Sequence, residues 1–254
     1  MYLSWIIPAY NEEKRIAKTI GEVDEYLSRR LADQTLEDYE IIVVDSSSPD
    51  RTAEVVSSLA SRVAKLRLIR VENRGKGWAV KRGMLGAEGD VRLFSDADNS
   101  TAPEYFDKML PFFKSGLDIV ISSRNPKDAP GAARDVKEPW YREIMGNLGN
   151  VLIQVFGVWG IWDTQNGFKA MTAKAAADVF SRSRINGFAF DIEVLALARR
   201  LGYNIAIIPV RWVFAEDSKV TTKAYFQVFA DVFRIRWNLM SGVYKQVKRD
   251  KQDK

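Results

Sequence analysis

Two carboxylates separated by one residue, those of Asp96 and Asp98, follow an apolar run of strand length at residues 91–94. Alternate residues of a strand lie on the same face, so both side chains point into one small space at the strand end. Their mutual repulsion is unfavourable there, and a hard divalent cation would remove it. Because Mg²⁺ binds one or two carboxylates together with phosphate oxygens, the pair predicts a metal site shared with a nucleotide diphosphate. The alternative interpretation is a polar turn after the strand, which Asp, Asn and Ser also favour.

The residue types that are absent restrict the chemistry further. The 254-residue sequence contains no cysteine and no histidine, which excludes disulfides, thiolate nucleophiles, His-ligated zinc and Ser-His-Asp triads. Any catalysis must therefore use carboxylates, Lys, Arg, Tyr, Ser and a metal ion. The formal net charge of +5 suits anionic partners, whether nucleotides, phospholipid surfaces or nucleic acid.

Apolar runs of strand length alternate with amphipathic helical segments, which indicates βαβ units and a parallel sheet. Predicted strands span residues 3–7, 40–44, 66–71, 91–95, 117–121 and 205–212, and a further short strand is entered from residues 163–169. Predicted helices span residues 11–31 with Asn11 as N-cap, 78–85, 104–114, 140–156, 173–180, 190–201 and 224–244, and one more begins near Thr52. The fold class is therefore α/β.

Polar loops follow four of the predicted strands, and the residues just past the carboxyl ends of these strands are Pro8, Asp45, Arg74 and Asp96. Ligands of open α/β sheets bind at the edge formed by the carboxyl ends of the strands, so these loops predict one site. Residues 74–77, with the sequence Arg-Gly-Lys-Gly, precede a helix. Glycines there allow close approach to a phosphate, which a helix N-terminus also favours. The alternative is a turn with solvated charges.

Five motifs in this order resemble those of family 2 inverting glycosyltransferases, which have the GT-A fold. The motifs are Pro8-Ala9-Tyr10-Asn11-Glu12, Val43-Val44-Asp45, Arg74-Gly75-Lys76-Gly77, Asp96-Ala97-Asp98 and Ser123-Arg124. Within that family the chain resembles the polyprenyl-phosphate sugar synthases. Residues 163–169 and 189–193 resemble dolichyl-phosphate β-glucosyltransferases in particular, and Ser218-Lys219 extends the likeness toward the C-terminus. The resemblance covers nearly the whole chain and implies a Rossmann-like, mostly parallel sheet flanked by helices.

The resemblance also implies a role for individual residues. Those that would bind the nucleotide sugar are Pro8, Ala9, Tyr10, Glu12, Asp45, Arg74, Lys76, Asp96 and Ser218. Those that would take part in catalysis are Asp98, Arg124, Gln165, Asp191 and Lys219. Asp96 and Asp98 would hold Mg²⁺ or Mn²⁺ on the diphosphate, and Ser218 and Lys219 would lie in a loop that closes over it. In the alternative interpretation, Asp191 only complements a helix N-terminus and Lys219 is a surface lysine.

The implied reaction is the metal-dependent, inverting transfer of a hexose to a polyprenyl phosphate such as dolichyl phosphate. The expected hexose is glucose, and the expected donor is UDP-glucose. The second pKa of a phosphate monoester is about 6, so this acceptor is largely dianionic at neutral pH and needs little help from a general base. Catalysis would then depend on positioning and on stabilising the leaving diphosphate. A chain without histidine can supply both.

Three alternatives differ in donor or in class. The first is a GDP-mannose-dependent polyprenyl-phosphate mannosyltransferase, a branch that has a metal-proximal Gln where this chain has Ser100. The second is a nucleotide-sugar-binding protein without turnover, because Ser46 and Ser47 replace the second acid and the glycine that usually follow Asp45 in the family. The third is a nucleic-acid binder, which agrees with the charge. No recognition helix or aromatic-basic sheet motif is present, so we expect no nucleic-acid partner.

The C-terminal part of the chain predicts contact with a membrane surface. No uncharged apolar run reaches the ~18–20 residues of a spanning helix, and no signal peptide is visible. Apolar residues at positions 226, 229, 233, 237 and 240 have helical spacing, and basic residues follow them, as in an interfacial helix on an anionic leaflet. Residues 140–162 would add a second surface. The alternative is packing in the core or between subunits.

We therefore expect a cytoplasmic protein that is peripheral at the cytoplasmic face of a membrane. Residues 1–222 would form the GT-A domain, and residues 223–254 would form the amphipathic interfacial helix and basic tail. The expected partners are a nucleotide-sugar donor, a polyprenyl phosphate acceptor and the membrane surface.

Overall fold

The computed structural model describes residues 1–134, 149–212 and 222–245. The strands in these ranges are β1 (Tyr2–Ala9), β2 (Asp38–Asp45), β3 (Leu66–Arg70), β4 (Val91–Ser95), β5 (Ile119–Ser123), β6 (Ala133–Arg134), β7 (Phe168–Thr172), β8 (Ile205–Pro209) and β9 (Arg211–Trp212). The principal sheet has the strand order β3-β2-β1-β4-β7-β5-β8, whereas β6 and β9 pair in parallel as a separate ribbon.

The described helices cover both faces of the principal sheet. They are α1 (Ile16–Ala32), α2 (Thr52–Leu59), α3 (Lys76–Gly86), α4 (Leu110–Lys114), α5 (Ala173–Phe180), α6 (Phe190–Arg200) and α7 (Thr222–Met240). Short 3-10 helices occupy Pro103–Lys108 and Val243–Lys245. Residues 149–157 are also helical, with π-helical geometry over Ile153–Gly157.

Alternate residues of the strands supply two apolar cores, one on each face of the sheet. In β1, Leu3, Trp5 and Ile7 pack with α1, α2 and α4, whereas Ile6 packs with α3, α5 and α6. The indole N–H of the fully buried Trp5 donates to Ser95 Oγ at 2.7 Å, so its polar atom is satisfied. Replacing such a buried tryptophan with alanine costs about 3–5 kcal/mol of stability.

Strand β7 is antiparallel to both of its neighbours, β4 and β5, while the other pairs in the principal sheet are parallel. Its first residue, Phe168, lies opposite Ser95, the last residue of β4. A strand that runs against its neighbours begins where they end. The loop of residues 163–167 therefore lies at the carboxyl edge of β4 and β5. The predicted mostly parallel sheet, with a short strand entered from this loop, is confirmed.

The predicted N-cap at Asn11 is wrong. Helix α1 begins at Ile16, and the preceding Arg15 makes no side-chain cap. Asn11 has a left-handed backbone, with a φ of 57°, and its N–H donates to Ser48 Oγ at 3.0 Å. This segment is not helical because its backbone binds the loop that follows β2.

Two other predicted elements are interrupted in the structure. Residues 104–114 form a 3-10 helix and then α4, because Pro111 in the first turn of α4 has no N–H to continue one helix. Residues 205–212 form β8 and then β9, with Val210 between them. The N–H of Val210 donates to the carbonyl of Ser123 at 3.0 Å, so this residue still follows the edge of β5.

Helix α7 packs on the rest of the fold through one of its faces. Val232 and Ile235 are fully buried in the core that also contains α6. The ring of Phe233 lies 5.0 Å from the ring of Phe156 in the helical segment 149–157. Within the described ranges, no helix has both the length and the apolar character that crossing a bilayer requires.

Candidate active site

The carboxyl end of β2 carries two buried polar groups whose hydrogen bonding is incomplete. Asp45 is fully buried and lies beside Ala9, the last residue of β1. Its Oδ1 accepts from the N–H of Ser48 at 3.3 Å, and its Oδ2 lies 3.7 Å from Arg70 Nε. Among the described residues, Asp45 Oδ2 and Ser46 Oγ have no hydrogen-bond partner. Buried polar atoms are nearly always satisfied, so this pair is a candidate position for binding a further group.

The loop after β1 closes the same end of the sheet. Pro8 and Ala9 are the last two residues of the strand, and Tyr10 follows with 40% of its surface exposed. Glu12 donates its backbone N–H to Thr52 Oγ1 at 2.8 Å. The Glu12 carboxylate forms a 2.5 Å ion pair with Arg15. The bond to Thr52 fastens the β1 loop to the start of α2, and the ion pair lies within the loop.

Lys76, the first residue of α3, contacts the first carboxylate of the predicted metal pair. Its Nζ lies 2.5 Å from Asp96 Oδ1. Burial lowers the pKa of Lys76, but the carboxylates of Asp96, Asp191 and Asp98 raise it by more, so the pKa lies above its usual value. The N–H of Asp96 donates to the carbonyl of Gly167 at 3.0 Å. The loop of residues 163–167 and the start of α3 therefore hold Asp96 from two sides.

Asp98 lies in a tight turn that also contains a buried hydroxyl, that of Ser100. Its Oδ1 accepts from the N–H of Ser100 at 2.9 Å, and Asn99 between them has a φ of 47°. Ser100 Oγ is buried and has no partner among the described residues. The polar turn that the sequence analysis gave as the alternative is therefore present at residues 98–100. It is also compatible with a metal site, because the turn orders the carboxylate that follows Asp96.

A second ion pair, which unlike the first is fully buried, joins β7 to α6. Lys169 on β7 is fully buried, and its Nζ lies 2.6 Å from Oδ1 of Asp191 in the first turn of α6. The ammonium group also donates to the carbonyl of Asn166 and lies 5.5 Å from the centre of the Phe94 ring. Burial raises the pKa of the Asp191 carboxyl, while the ammonium groups of Lys169 and Lys76 oppose the rise. Asp191 thus does more than complement a helix end.

Arg124 at the end of β5 is fixed by a carboxylate that the sequence analysis did not single out. Its Nε and Nη2 donate to Oδ2 and Oδ1 of Asp163 at 2.8 and 2.7 Å, and its backbone N–H donates to the same carboxylate. Asp163 is buried, and its own N–H donates to Asp128 Oδ2 at 2.8 Å. The guanidinium carbon lies 5.4 Å from the centre of the Trp212 ring on β9. These contacts give the Arg124 guanidinium one orientation.

The remaining predicted residues are less central or lie outside the described ranges. Gln165 Nε2 donates to the carbonyl of Phe188, just before α6, at 3.4 Å. Arg74 pairs with Glu72 at 2.7 Å and stacks on Trp78, so it lies at the rim rather than against Asp96. Ser218 and Lys219 belong to residues 213–221, which lie outside the described part of the chain.

Comparison with known proteins identifies the class of this chain. Residues 4–180 match the family described as glycosyl transferase family 2, and this match spans more than half of the sequence. The chain therefore belongs to glycosyl transferase family 2 and is a glycosyltransferase, as its motifs predict.

Three relatives from different organisms carry the same name. The dolichyl-phosphate beta-glucosyltransferase of Dictyostelium discoideum is 35% identical, with 96% of this chain and 77% of the relative aligned. The Drosophila melanogaster protein of the same name is 33% identical, with 99% of this chain and 79% of the relative aligned. For the Homo sapiens protein of that name the identity is 32%, over 96% of this chain and 77% of the relative.

Solved structures support the fold. Glucosyl-3-phosphoglycerate synthase from Mycobacterium tuberculosis, in complex with Mn²⁺, UDP and glucosyl-3-phosphoglycerate, superposes with a TM-score of 0.68 at 21% identity. The superposition covers 93% of this chain and 80% of that enzyme. At this identity the likeness establishes the GT-A-like fold and nothing more about activity.

Proposed function

We propose that this protein transfers glucose from UDP-glucose to dolichyl phosphate with inversion at the anomeric carbon, and that it uses a divalent cation to do so. The observation that carries the proposal is the cluster of Lys76, Asp96 and Asp98 at the carboxyl edge of β4, in a chain whose named relatives are dolichyl-phosphate beta-glucosyltransferases. The acceptor and the transferred sugar come from those relatives. The donor and the cation are argued from the site.

The carboxylates fit a cation that is shared with a diphosphate. No group of three or more acidic side chains within the described ranges is arranged to hold a metal ion by itself. Asp96 and Asp98 are two partly exposed carboxylates, and Mg²⁺ takes one or two of these together with phosphate oxygens. The Mycobacterium tuberculosis synthase, which has the same fold, is in complex with both Mn²⁺ and UDP, and this agrees with a divalent cation at the nucleotide site. Such a cation would stabilise the charge of the leaving diphosphate.

The end of β2 supports a base pocket that accepts an N–H group. Asp45 Oδ2 is a buried acceptor without a hydrogen-bond partner among the described residues, and Ser46 Oγ beside it can donate or accept. Uracil offers an imide N–H flanked by two carbonyl oxygens, which suits a carboxylate next to a hydroxyl. Guanine also offers N–H groups to a carboxylate, so the choice between the donors rests on the glucosyl transfer named for the relatives. We prefer UDP-glucose on that ground and treat transfer from GDP-mannose as the competing outcome.

The acceptor phosphate would meet the fixed cation of Arg124. Because Asp163 and Trp212 already orient this guanidinium, it can bind a phosphate oxygen without a large loss of side-chain entropy. Gln165 and Asp191 would face the sugar and the acceptor from the side of α6. The dianionic phosphate would attack the anomeric carbon while the Lys76 ammonium stabilises the charge of the departing UDP, and a cation held by Asp96 and Asp98 would supply further stabilisation of that charge.

An exposed apolar surface supports docking on a membrane. Phe233, Trp237 and Met240 lie along one face of α7, and they are between 49% and 71% exposed. Three further exposed apolar side chains are nearby in the chain: Val151 and Val155 lie on the neighbouring helical segment 149–157, and Trp159 lies in the turn that follows it. We call these six side chains the apolar patch. Exposed apolar surface flanked by the arginines of α7 is suited to the interface of an anionic leaflet, so we propose peripheral binding at a cytoplasmic membrane face.

A transfer assay tests the proposed function. Purified protein would be mixed with vesicles that contain dolichyl phosphate, with Mg²⁺ or Mn²⁺, and with labelled UDP-glucose or labelled GDP-mannose. We expect a labelled β-linked glucolipid from UDP-glucose only, and none after chelation of the metal. Transfer from GDP-mannose alone would assign the mannosyl reaction. Binding of UDP-glucose without any transfer would identify a nucleotide-sugar-binding protein.

A further inference from the structure

A buried carboxylate two residues beyond Asp191 organises the loop that precedes α6. Glu193 is fully buried, and both of its oxygens lie 2.9 Å from the N–H of Arg184. Its Oε2 also accepts from the N–H of Ile185 at 2.9 Å, and its Oε1 accepts from the hydroxyl of Tyr244 at 2.7 Å. Burying a carboxylate is costly unless it is hydrogen-bonded, so this set of bonds fixes the loop and the tyrosine together.

The loop held by Glu193 lies directly on the glycine segment at the start of α3. The carbonyl of Asn186 accepts from the N–H of Trp78 at 3.2 Å. A Cβ added to Gly75 would lie 2.6 Å from that carbonyl oxygen, and one added to Gly77 would lie 2.7 Å from the carbonyl oxygen of Ile185. The two backbones are therefore packed without intervening side chains. A shift of the loop would move the residue between the two glycines, Lys76.

The segment that follows α7 is bonded to the same loop of residues 184–187. Tyr244 is 5% exposed and lies in the 3-10 helix Val243–Lys245. Its hydroxyl lies 3.4 Å from Asn238 Nδ2 on α7, and the carbonyl of Val243 accepts from Arg184 Nη2 at 3.2 Å. The C-terminal end of α7 is therefore joined to the same loop twice, once through Glu193 and once through Arg184.

We propose that Glu193 and Tyr244 are positioning residues for the nucleotide donor. Together they hold the loop of residues 184–187 in contact with Gly75 and Gly77, and this contact positions the Lys76 ammonium beside Asp96. Neither residue would touch the substrate. The inference depends on the proposed function only for the identity of the nucleotide, because the contacts themselves belong to the chain.

The variant Tyr244→Phe tests the proposal, because it removes one hydroxyl and keeps the buried ring. Tyr26→Phe is a matched control. Tyr26 is also buried, and its hydroxyl donates to Asp107 at 2.7 Å, but it lies on α1 in the core on the other face of the sheet. Losing a hydrogen bond to a carboxylate should lower the melting temperature of both variants. Only Tyr244→Phe should also weaken UDP binding by about tenfold, measured by calorimetry with Mn²⁺ present.

Amide hydrogen exchange supplies a readout that needs no nucleotide. In Tyr244→Phe we expect faster exchange in peptides that cover residues 74–80 and 184–187, while Tyr26→Phe leaves both at the rate of the parent. Unchanged exchange there in Tyr244→Phe, or an equal loss of UDP affinity in both variants, would overturn the positioning role. Failure of the parent protein to bind UDP would instead reject the proposed donor, and the exchange comparison would still decide the inference.

Discussion

The carboxylate of Asp96 lies so close to the α-carbon of Gly167 that no Cβ fits between them. The same two residues are joined by a hydrogen bond of 3.0 Å from the N–H of Asp96 to the carbonyl of Gly167. This close approach exists because β7 enters the sheet in the opposite direction to β4, so its leading loop meets the end of β4. The geometry of the proposed metal ligand therefore depends on a glycine in the loop that leads into β7.

Gly167→Ala should impair catalysis far more than folding. The added methyl group must push the Asp96 carboxylate away from Lys76, and a displacement of about 1 Å at a reacting centre can cost about a hundredfold in rate. Turnover with UDP-glucose and Mn²⁺ affinity should both fall. Gly21→Ala is the control, because nothing lies within 4 Å of a Cβ at that position in α1. Equal activity in the two variants would show that Asp96 tolerates the shift.

Asp98→Asn should abolish transfer while the far-UV circular dichroism stays that of the parent. The substitution keeps the shape of the side chain but removes a ligand charge, which should lower turnover by about a hundredfold or more. EDTA should have the same effect on the unmodified protein. Asp90→Asn, just before β4 at the opposite edge of the sheet, should leave the rate unchanged. Full activity in EDTA would contradict the metal role of the pair.

The sequence predicts the strand ends well because the necessary signals are local. An apolar run that stops at a polar residue indicates both the strand and the edge to which its loop belongs, and Asp45 and Asp96 lie where this rule places them. Ordered motifs identify the family for the same reason. The residue roles in the site remain predictions, which variants such as Asp98→Asn test.

Long-range contacts explain what the sequence does not predict. Asn11 has the composition of an N-cap, yet its backbone binds Ser48 on another loop. Lys169 has the appearance of a surface charge on a short strand, and only tertiary structure buries it against Asp191, which lies 22 positions further along the chain. Asp163 belongs to the motif of residues 163–169, but its bidentate contact with Arg124 depends on where β7 enters the sheet.

Lys169→Met should destabilise the fold in a pH-dependent way. Breaking a buried ion pair typically costs about 3–5 kcal/mol, because one charge is left without its partner. Burial already raises the pKa of Asp191, and loss of the ammonium group would raise it further. A carboxyl whose pKa is higher in the folded than in the unfolded state favours folding when it is protonated. Stability should therefore fall as the pH rises above about 4, the ordinary value for aspartate.

Urea unfolding at pH 5 and pH 8 measures this effect. The free energy of unfolding lost by Lys169→Met, relative to the parent, should be smaller at pH 5 than at pH 8. The double variant Lys169→Met/Asp191→Asn is the control, because it has no carboxyl to titrate and should lose the additional pH dependence. An equal loss at both pH values would show that Asp191 is not the responsible group.

Trp237→Glu should release the protein from anionic vesicles without affecting its fold. Trp237 is 69% exposed in the apolar patch, so it adds little to the core. Inserting such a side chain into the interface contributes about 1.5–3 kcal/mol, and its loss should weaken vesicle binding by about tenfold or more. Leu85→Glu on α3 is the control, since Leu85 is also exposed but lies outside the patch. Flotation should show binding of the parent that declines at high salt as the basic residues are screened. A parent protein that remains in the soluble fraction, with plain anionic vesicles and with dolichyl phosphate-containing vesicles alike, would reject membrane docking and leave the patch to another partner.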